Sequence, residues 1–401
     1  MKIGIAWKIG STFGWGVYGT QIALNLIASG YGTPVLLEAP ATLDLSTVEA
    51  RLLSPTLAAA YELQARMQAS YGGGAILAPM TVLHALGNNA EHLLGSTAER
   101  PRGNRNHGLI FFEDAHFDTA ALERLRALDS VIAGSSWNER ILEGFGLDNV
   151  RVSVQGIDPS IFHPAPGTGL LADRFVIFSG GKLEFRKGQD IAVAAVRRFR
   201  ERHPETLLIA AWHNHWPRSE GIRHLAASPH TDGPPGTGAD GQLEIQAWLA
   251  ANGLPPEATL VVPETRPGQL ARLMREAHVG LFPNRCEGGT NLVAMECMAC
   301  GVPTILSANT GHLDIIADGA CLPLARQTTV APPAPKVNTL DWGASSVEEI
   351  LEHLEAVYQD RERGRAIGRQ GAALMAGFSW AARTRTLFGL LDDAVGRPAR
   401  A

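Results

Sequence analysis

A strand–helix–strand pattern at the start of the chain constrains the fold most strongly. Residues 3–7 and 34–38 are apolar runs that predict buried strands, and residues 21–28 between them predict a mostly apolar helix. Two such strands joined by a helix within about 35 residues form a βαβ unit, which requires a parallel sheet. The alternation continues through strand-like runs at 75–78, 108–112 and 130–133 and through helical stretches at 56–70 and 119–128. We therefore predict a doubly wound α/β domain.

The alternation stops at a segment rich in proline and glycine, 156–167, and then starts again. Clustered proline and glycine are typical of a linker between domains. Later strands are predicted at 175–179, 207–211, 259–262, 278–282 and 303–306. Helices are predicted at 190–199, 347–358, 365–375 and 380–391, and a surface loop is predicted at 228–241. The expected architecture is α/β, with two Rossmann-like doubly wound domains, 1–165 and 166–375, facing each other across a cleft. We expect residues 376–401 to form a C-terminal helix that could pack back on the first domain.

Composition and charge argue against several classes of protein. Lys plus Arg number 35 and Asp plus Glu number 40, so the net charge of −5 does not suit a dedicated nucleic-acid binder. The first apolar run ends at Lys8, and no apolar run reaches the ~20 residues needed to span a bilayer. Four cysteines in 401 residues are too few for a disulfide scaffold. The expected location is the cytoplasm.

A glycine-rich segment follows the first predicted strand. Gly14, Gly16 and Gly19 form the pattern G-x-G-x-x-G, and Glu38 lies about 20 residues further on, as in a dinucleotide-binding fingerprint. That fingerprint needs its first glycine directly after the strand, but six residues separate Trp7 from Gly14. The segment therefore favours a loop whose amides, at Gly14 and Gly16, face an anionic ligand at the next helix N-terminus. A dinucleotide site and a plain turn are the alternatives.

Three cations follow the strand predicted at 175–179. Lys182, Arg186 and Lys187 lie between glycines at 180–181 and 188. Close approach of the backbone combined with positive charge suits a diphosphate. On this segment alone, a solvated basic loop is an equally good interpretation.

Two glutamates flank a third candidate segment, in which a helix is predicted from 291 to 300 and ends at Gly301. Glu296 is the only charged residue in that apolar helix, so its carboxylate needs hydrogen-bond donors. Ribose hydroxyls would meet that need, and an ion pair with Arg or Lys is the alternative. Gly288 and Gly289 precede the helix N-terminus, which suits phosphate. Glu287 would face a sugar ring of the bound ligand, or would be an ordinary acid of a surface loop.

Other segments carry weaker signals. Cys297 and Cys300, with Cys286, could suggest a metal, but a fourth ligand is lacking and cysteines in an apolar helix are usually core residues. Residues 212–216 could contact a base or an acceptor, or form a packed aromatic loop. Residues 100–107 are predicted to be a solvated basic loop rather than a site for an anionic acceptor.

In combination, these segments closely resemble the retaining GT-B glycosyltransferases of family 4, also called glycosyl transferases group 1. The segments that carry the resemblance are Gly181-Lys182-Leu183 with Lys187-Gly188, Glu287-Gly288 with Glu296 to Pro303, and Gln155-Gly156-Ile157-Asp158 with Phe162. The resemblance covers most of the chain, including Gly14 to Gly16 and Phe378-Ser379-Trp380. It is specific for the superfamily and not for a substrate.

The resemblance implies a site for a nucleotide-diphosphate sugar, held mainly by the second domain. Lys182 and Lys187 would neutralise the diphosphate, and Glu296 would bind the ribose. Sugar hydroxyls and phosphate would be bound by Glu287 and by the amides of Gly288, Gly289, Thr290, Asn291 and Leu292. His116 lies after a predicted strand of the first domain, where the family often has a histidine near the transferred sugar. The implied catalytic residues are His116, Lys187 and Glu287.

Two features depart from the family pattern. Eight residues lie between Glu287 and Glu296, where the family normally has seven, which puts the role of Glu287 in question. Lys182 stands where arginine is more usual, and a lysine cannot form the two-pronged contact of a guanidinium.

The expected activity is that of a glycosyltransferase of the hexosyltransferase type, transferring a sugar from a nucleotide sugar to an acceptor hydroxyl with retention of configuration. No cofactor and no essential metal are expected, because lysines and amides supply the positive potential. A glycoside hydrolase using Glu287 and Glu296 and an inactive nucleotide-sugar-binding regulator are the alternatives. The nucleotide base, the sugar and the oligomeric state stay open. The acceptor also stays open, and it could be a glycan, a lipid-linked molecule, a peptide or a small molecule. Peripheral contact with a membrane is a further open point.

Overall fold

Two separate six-stranded sheets organise the chain in the computed structural model, which describes residues 1–69, 74–93 and 99–395. One sheet belongs to a unit formed by Met1–Gly156 and Trp380–Ala401, and the other belongs to the unit Ile157–Ser379. The strand pairings within both sheets are parallel in the described part of the chain. The predicted α/β class with two Rossmann-like sheets is confirmed.

The sheet of the first unit has the order β2-β1-β3-β4-β5-β6. Its strands are β1 (Lys2–Ile5), β2 (Thr33–Leu36), β3 (Ile76–Leu86), β4 (Pro101–Ile110), β5 (Ser130–Ala133) and β6 (Val150–Val152). Between them run the helices α1 (Gly14–Ala28), α2 (Thr47–Ala69), α3 (Thr119–Arg126) and α4 (Ser136–Gly144). Ser70, the last residue of the helix predicted at 56–70, lies outside the described residues.

The second unit repeats the alternation and adds a hairpin. Its strands are β7 (Phe175–Lys182), β8 (Thr206–His213), β9 (Thr259–Val261), β10 (Val279–Phe282), β11 (Thr304–Ser307) and β12 (Leu322–Leu324), and the hairpin is β13 (Gln327–Thr329) with β14 (Gly343–Ser345). Its helices are α5 (Gln189–Arg200), α6 (Glu220–Arg223), α7 (Ile245–Ala251), α8 (Pro267–Arg275), α9 (Leu292–Ala299), α10 (Val347–Gln359) and α11 (Arg361–Met375). The order β12-β11-β10-β7-β8-β9 reverses direction between β10 and β7. In open α/β sheets, ligands bind at the carboxyl ends of the strands at such a point.

The helix α9 is buried on most of its surface because small residues let it lie close to the sheet. A side chain at Gly280 of β10 would meet Cys297 Sγ at 2.7 Å, and one at Gly180 of β7 would meet Val293 Cγ1 at 2.7 Å. Ala294, Met295, Cys297 and Met298 are fully buried in the core of this unit. This packing fixes the position of the polar residues at and near the two ends of α9.

The last helix, α12 (Trp380–Val395), packs within the first unit. Trp380 stacks on Tyr18 of α1 with ring centroids 5.8 Å apart, and Phe388 stacks on Tyr31 at 4.7 Å. The Tyr31 hydroxyl also donates to Asp392 Oδ1 at 2.7 Å. Of the segment predicted at 376–401, residues 396–401 lie outside the described residues.

Two sequence-based interpretations are corrected. Residues 100–107 are not a loop, because β4 begins at Pro101 and pairs with β3 from Ile76 onward. Arg105 fits within the strand by pairing with Asp129 at 2.8 Å. The strand predicted at 175–179 also continues to Lys182, which therefore lies at a strand end and not in a loop.

No helix of the described part of the chain combines the length and the apolar character that crossing a membrane requires.

Acid should destabilise the first unit through His107 of β4. This side chain is fully buried, its Nδ1 lies 2.7 Å from Ser130 Oγ, and burial lowers its pKa to about 4. The unfolded chain binds a proton near pH 6.5 and the folded chain does not, so stability is fully present above pH 6.5 and is lost as the pH falls towards 4. The loss from this group at pH 5 is about 2 kcal/mol.

We expect thermal melting of the His107→Gln variant to depend less on pH between 7 and 5 than melting of the unaltered protein. His163→Gln, at an exposed position, is the control and should keep the original pH dependence. Equal pH dependence in all three proteins would rule out His107 as a source of acid sensitivity.

Candidate functional site

The loops after β7 and β10 contact each other where the strand order of the second unit reverses. Gly188 has a φ of 69° and its Cα lies so close to the other loop that an added Cβ would be 2.0 Å from the Pro283 carbonyl oxygen. The amides of Arg285 and Cys286 both donate to the Arg186 carbonyl, at 2.7 and 3.2 Å. A residue other than glycine at position 188 would force the two loops apart.

An ion pair links the same two loops. Lys187 Nζ lies 2.5 Å from Glu287 Oε1, and their side chains are only 13% and 5% exposed. Asn284 Nδ2 donates to the same carboxylate oxygen, and Arg186 Nη1 lies 3.4 Å from Oε2. Burial raises the pKa of Glu287, but Lys187 and Arg186 outweigh it and hold that pKa below its usual value. Glu287 is therefore an anion at neutral pH.

A second acid, two residues after the end of β7, extends this arrangement. Glu184 pairs with Lys182 at 2.6 Å and with Arg186 Nε at 2.8 Å. Lys182 is 36% exposed, and its ammonium lies 4.9 Å from the ring centroid of Trp216. We call Lys182, Glu184, Arg186, Lys187 and Glu287 the charged cluster. Its three cations and two carboxylates leave a net charge of +1 in a largely buried setting.

The segment after Glu287 forms a tight turn before α9. Asn291 caps the helix in a left-handed conformation, with φ 63°, and its Oδ1 accepts a hydrogen bond from the Ala294 amide at 3.4 Å. Its Nδ2 lies 3.0 Å from His312 Nε2, and His312 Nδ1 lies 3.2 Å from the Ser307 carbonyl. Burial lowers the pKa of His312 to about 4, so the ring is neutral. Nδ1 therefore donates to Ser307 and Nε2 accepts from Asn291.

The turn itself is packed against the next loop. A Cβ at Gly311 would lie 1.9 Å from the Gly289 carbonyl oxygen, and the Gly311 amide donates to the Glu287 carbonyl at 3.0 Å. Gly288 and Thr290 are buried, whereas Gly289 is half-buried. The start of α9 is thus held firmly, with positive partial charge at its amide groups.

Glu296 lies near the other end of α9 and is half-buried. Among residues 1–69, 74–93 and 99–395, no cation pairs with its carboxylate and no side chain donates to it. Burial, and next the Asp158 carboxylate, raise the pKa of Glu296 to about 8. Asp158 itself accepts hydrogen bonds from the amide and hydroxyl of Ser160, at 2.8 and 2.6 Å. The ion pair with Arg or Lys considered from the sequence is therefore not formed in the described part of the chain.

The other predicted site residues belong to the first unit. Gly14 and Gly16 do not lie in a loop, because α1 already begins at Gly14, well before the predicted start at residue 21. Glu38 is buried and accepts a hydrogen bond from Gln64 Nε2 at 2.6 Å. The His116 side chain is exposed, and its backbone amide donates to Asp114 Oδ1 at 2.9 Å.

The structure adds polar residues to which sequence reasoning assigned no role in the site. Asn284, His312 and Asp158 contact or influence the predicted residues as described above. A further addition is Arg285, which is buried and pairs with Asp190 in the interior. A charged residue three positions after the end of an apolar strand was the available signal for Arg285.

The four cysteines are buried free thiols, and burial raises the pKa of Cys300 to about 12. Within the described ranges, no three His, Cys, Asp or Glu side chains group as metal ligands would.

Comparison with solved structures finds the same fold along nearly the whole chain. Sucrose-phosphate synthase from Thermosynechococcus elongatus has a TM-score of 0.66 at 18% identity, over 98% of this chain and 99% of that one. Anabaena HepE in complex with UDP-glucose has a TM-score of 0.60 at 14% identity, over 98% of this chain and 100% of that one. These GT-B neighbours confirm the predicted fold class.

Two curated relatives are similar in sequence over part of their length. The D-inositol 3-phosphate glycosyltransferases of Acidothermus cellulolyticus and Stackebrandtia nassauensis are each 28% identical, over 195 and 259 residues. The alignments cover 46% and 63% of this chain and 40% and 50% of the relatives. The chain therefore matches half or less of the length of these relatives.

The family model described as glycosyl transferases group 1 matches residues 166–372, just over half of the chain. This match contains the charged cluster, the turn before α9 and Glu296. The chain belongs to the glycosyl transferases group 1 family.

Proposed function

We propose that this protein transfers a glycosyl group from a nucleotide-diphosphate sugar to an acceptor hydroxyl, with retention of configuration. The observation that carries the proposal is the arrangement of α9. It has an anion-attracting turn at its start and, near its end, Glu296, which pairs with no cation of the described part of the chain. The five residue-to-residue steps from Asn291 to Glu296 correspond to about 7.5 Å along the helix. A nucleoside diphosphate is long enough to place its phosphates at the turn and its ribose at Glu296.

The charged cluster supports a role in binding and releasing the diphosphate. The ion pair with Glu287 favours the charged form of Lys187, although burial holds the pKa of Lys187 below its usual value. When the glycosyl bond breaks, negative charge develops on the departing diphosphate. Fixed cations and the first amides of α9 stabilise such charge because they are already oriented towards it. Lys182, with the largest exposure in the cluster, would contact the outer phosphate oxygens.

Glu287 and His116 complete the proposed assignment. Glu287 and the amides from Gly288 to Leu292 would hold sugar hydroxyls and phosphate, and His116 would lie near the transferred sugar. The family resemblance supports retention, with the leaving phosphate helping to deprotonate the acceptor. Lysines and amides then supply the positive potential without an essential metal.

The relatives suggest which nucleotides to test first. HepE has been crystallised with UDP and with UDP-glucose, and the curated relatives carry the name D-inositol 3-phosphate glycosyltransferase. Uridine nucleotides are therefore the first probes, and acceptors that carry phosphorylated polyols are the first acceptor class.

The hydrolase alternative is less favoured by the geometry of Glu287. Both of its carboxylate oxygens already face nitrogen donors, namely Lys187, Asn284 and Arg186. A nucleophile of a retaining glycosidase needs an oxygen free to attack the sugar. This arrangement suits a carboxylate that holds a lysine better than one that forms a covalent bond.

A thermal-shift screen with UDP, GDP, ADP and TDP tests the proposed function directly. One diphosphate should raise the melting temperature, and its sugar derivatives should be turned over with an acceptor. The anomeric configuration of the product, read by NMR, tests retention. Release of free sugar from glycosides without inhibition by any nucleotide would favour the hydrolase. Binding of a nucleotide with neither sugar transfer nor slow hydrolysis of the donor would favour the inactive nucleotide-sugar-binding regulator.

Loss of Lys187 or Glu296 should weaken nucleotide-diphosphate binding. We expect Lys187→Ala and Glu296→Ala each to raise the Kd about tenfold to a hundredfold, since each removes one or two charge-assisted hydrogen bonds. Calorimetric titration with the diphosphate found in the screen measures this. Glu352→Ala, at an exposed acid of α10, is the matched control and should bind like the unaltered protein. Full affinity in both site variants would remove these residues from the binding site.

Binding should also release protons if the ribose is held by an ionised Glu296. A carboxyl with a pKa of about 8 is mostly protonated at pH 7, so forming the carboxylate releases about 0.9 proton per diphosphate bound. Affinity then rises as the pH increases towards 8 and levels off above it. Calorimetry at pH 7 in buffers of different ionisation enthalpy measures the release. Glu296→Gln should abolish it, and an equal release in that variant would assign the protons to another group.

A further inference from the structure

We infer that the buried Asp190–Arg285 ion pair is a positioning device that sets the Lys187–Glu287 contact, and so the alignment of the donor diphosphate. The inference rests on the proposed function. Neither residue belongs to the charged cluster, and neither is among the residues assigned from the family resemblance. Arg285 stands two residues before Glu287, and Asp190 stands three residues after Lys187.

The pair is held from several directions. Arg285 Nη1 and Nη2 donate to the two oxygens of Asp190 at 2.7 and 2.6 Å, with side-chain exposures of 2% and 0%. Arg285 Nη1 also donates to the Phe185 carbonyl at 2.6 Å, and the guanidinium lies 4.0 Å from the centroid of the Phe185 ring. Ser228 Oγ donates to Asp190 Oδ2 at 2.6 Å. This geometry leaves the guanidinium little freedom to rotate.

These contacts join the two loops that carry the Lys187–Glu287 pair. The Phe185 carbonyl lies in the turn that leads to Lys187, while the Arg285 amide donates to the Arg186 carbonyl of that turn at 2.7 Å. The Arg285 carbonyl accepts from the Gly343 amide of the β13–β14 hairpin at 3.0 Å. One guanidinium therefore fixes the Lys187 turn, the Glu287 loop and α5 relative to one another. A shift of Arg285 would move both members of the Lys187–Glu287 pair.

Stability alone is a weak reason for such a pair. Burying two charges costs solvation, and apolar residues of similar volume often replace a buried ion pair with little or no loss of stability. A planar guanidinium with two fixed bonds does define the relative position of two loops better than apolar contacts do. The pair can thus be tested for positioning separately from folding.

The test is a mutant cycle between this pair and Lys187, with UDP and UDP-glucose as probes. The double variant Asp190→Leu/Arg285→Met removes both charges together, so no unpaired charge stays buried. We expect it to melt near the unaltered protein but to bind UDP and turn over UDP-glucose about tenfold less well. If the pair acts through Lys187, adding Lys187→Met should cause no loss beyond that of Lys187→Met alone.

Arg285→Lys gives a second measurement in case the double variant does not fold. It keeps a positive charge beside Asp190 but loses the two-pronged bond, so turnover should fall while the melting temperature changes little. The matched control is Arg198→Gln/Glu348→Gln, an exposed ion pair with its arginine on the same helix α5. It should leave UDP binding unchanged and leave the effect of Lys187→Met undiminished.

The outcomes separate this inference from the proposed function. If the unaltered protein binds UDP and the losses of the double variant and Lys187→Met are additive, the positioning role is overturned and the proposed function stands. If the unaltered protein binds none of the nucleotide diphosphates of the screen, the proposed function fails and the positioning role fails with it. Non-additive losses with preserved melting support the inference.

Discussion

The close approach of the loops after β7 and β10 is the constraint on which the rest of the candidate site depends. It requires glycine at position 188, because any side chain there would collide with the Pro283 carbonyl. Only at this spacing can Lys187 reach Glu287 at 2.5 Å in a largely buried setting. The reversal of strand order between β10 and β7 makes these loops neighbours, although about 100 residues separate them in the chain. Topology therefore creates the position, and glycine permits the contact.

Electrostatic balance explains how several charges can stay buried together. Glu184 and Glu287 each accept from two cations, so every carboxylate in the charged cluster is compensated. The cluster keeps one excess positive charge, which is the sign that an anionic ligand needs. His312 is neutral and holds Asn291 through a hydrogen bond rather than through charge. The turn before α9 is thus shaped without adding a second cation.

Much of the fold could be predicted from the sequence because alternating apolar runs report local structure directly. The strand at Ser130–Ala133 was predicted at its observed limits, and Gly301 ends α9 with a φ of 81°, as its position indicated. Residues 100–107 were interpreted wrongly because pairing with β3 outweighs their polar, basic composition. The motifs indicated candidate site residues, but they did not indicate which side chains pair with one another. Arg285 and Asp190 are 95 residues apart, and no local pattern reports which buried acid meets which buried base.

The two ends of α9 would also fix the direction in which a nucleotide binds. The amide groups at the Asn291 end favour negative charge, whereas burial and the Asp158 carboxylate disfavour it near Glu296, whose pKa they raise. A phosphate placed at Glu296 would meet a carboxyl that resists ionisation even without an added anion. Neutral hydroxyls carry no charge for Glu296 and Asp158 to repel, and they can donate hydrogen bonds to the Glu296 carboxylate. In the proposed complex, α9 therefore favours phosphate at its Asn291 end and ribose at Glu296. The apolar surroundings that make an isolated carboxylate energetically unfavourable contribute to this preference.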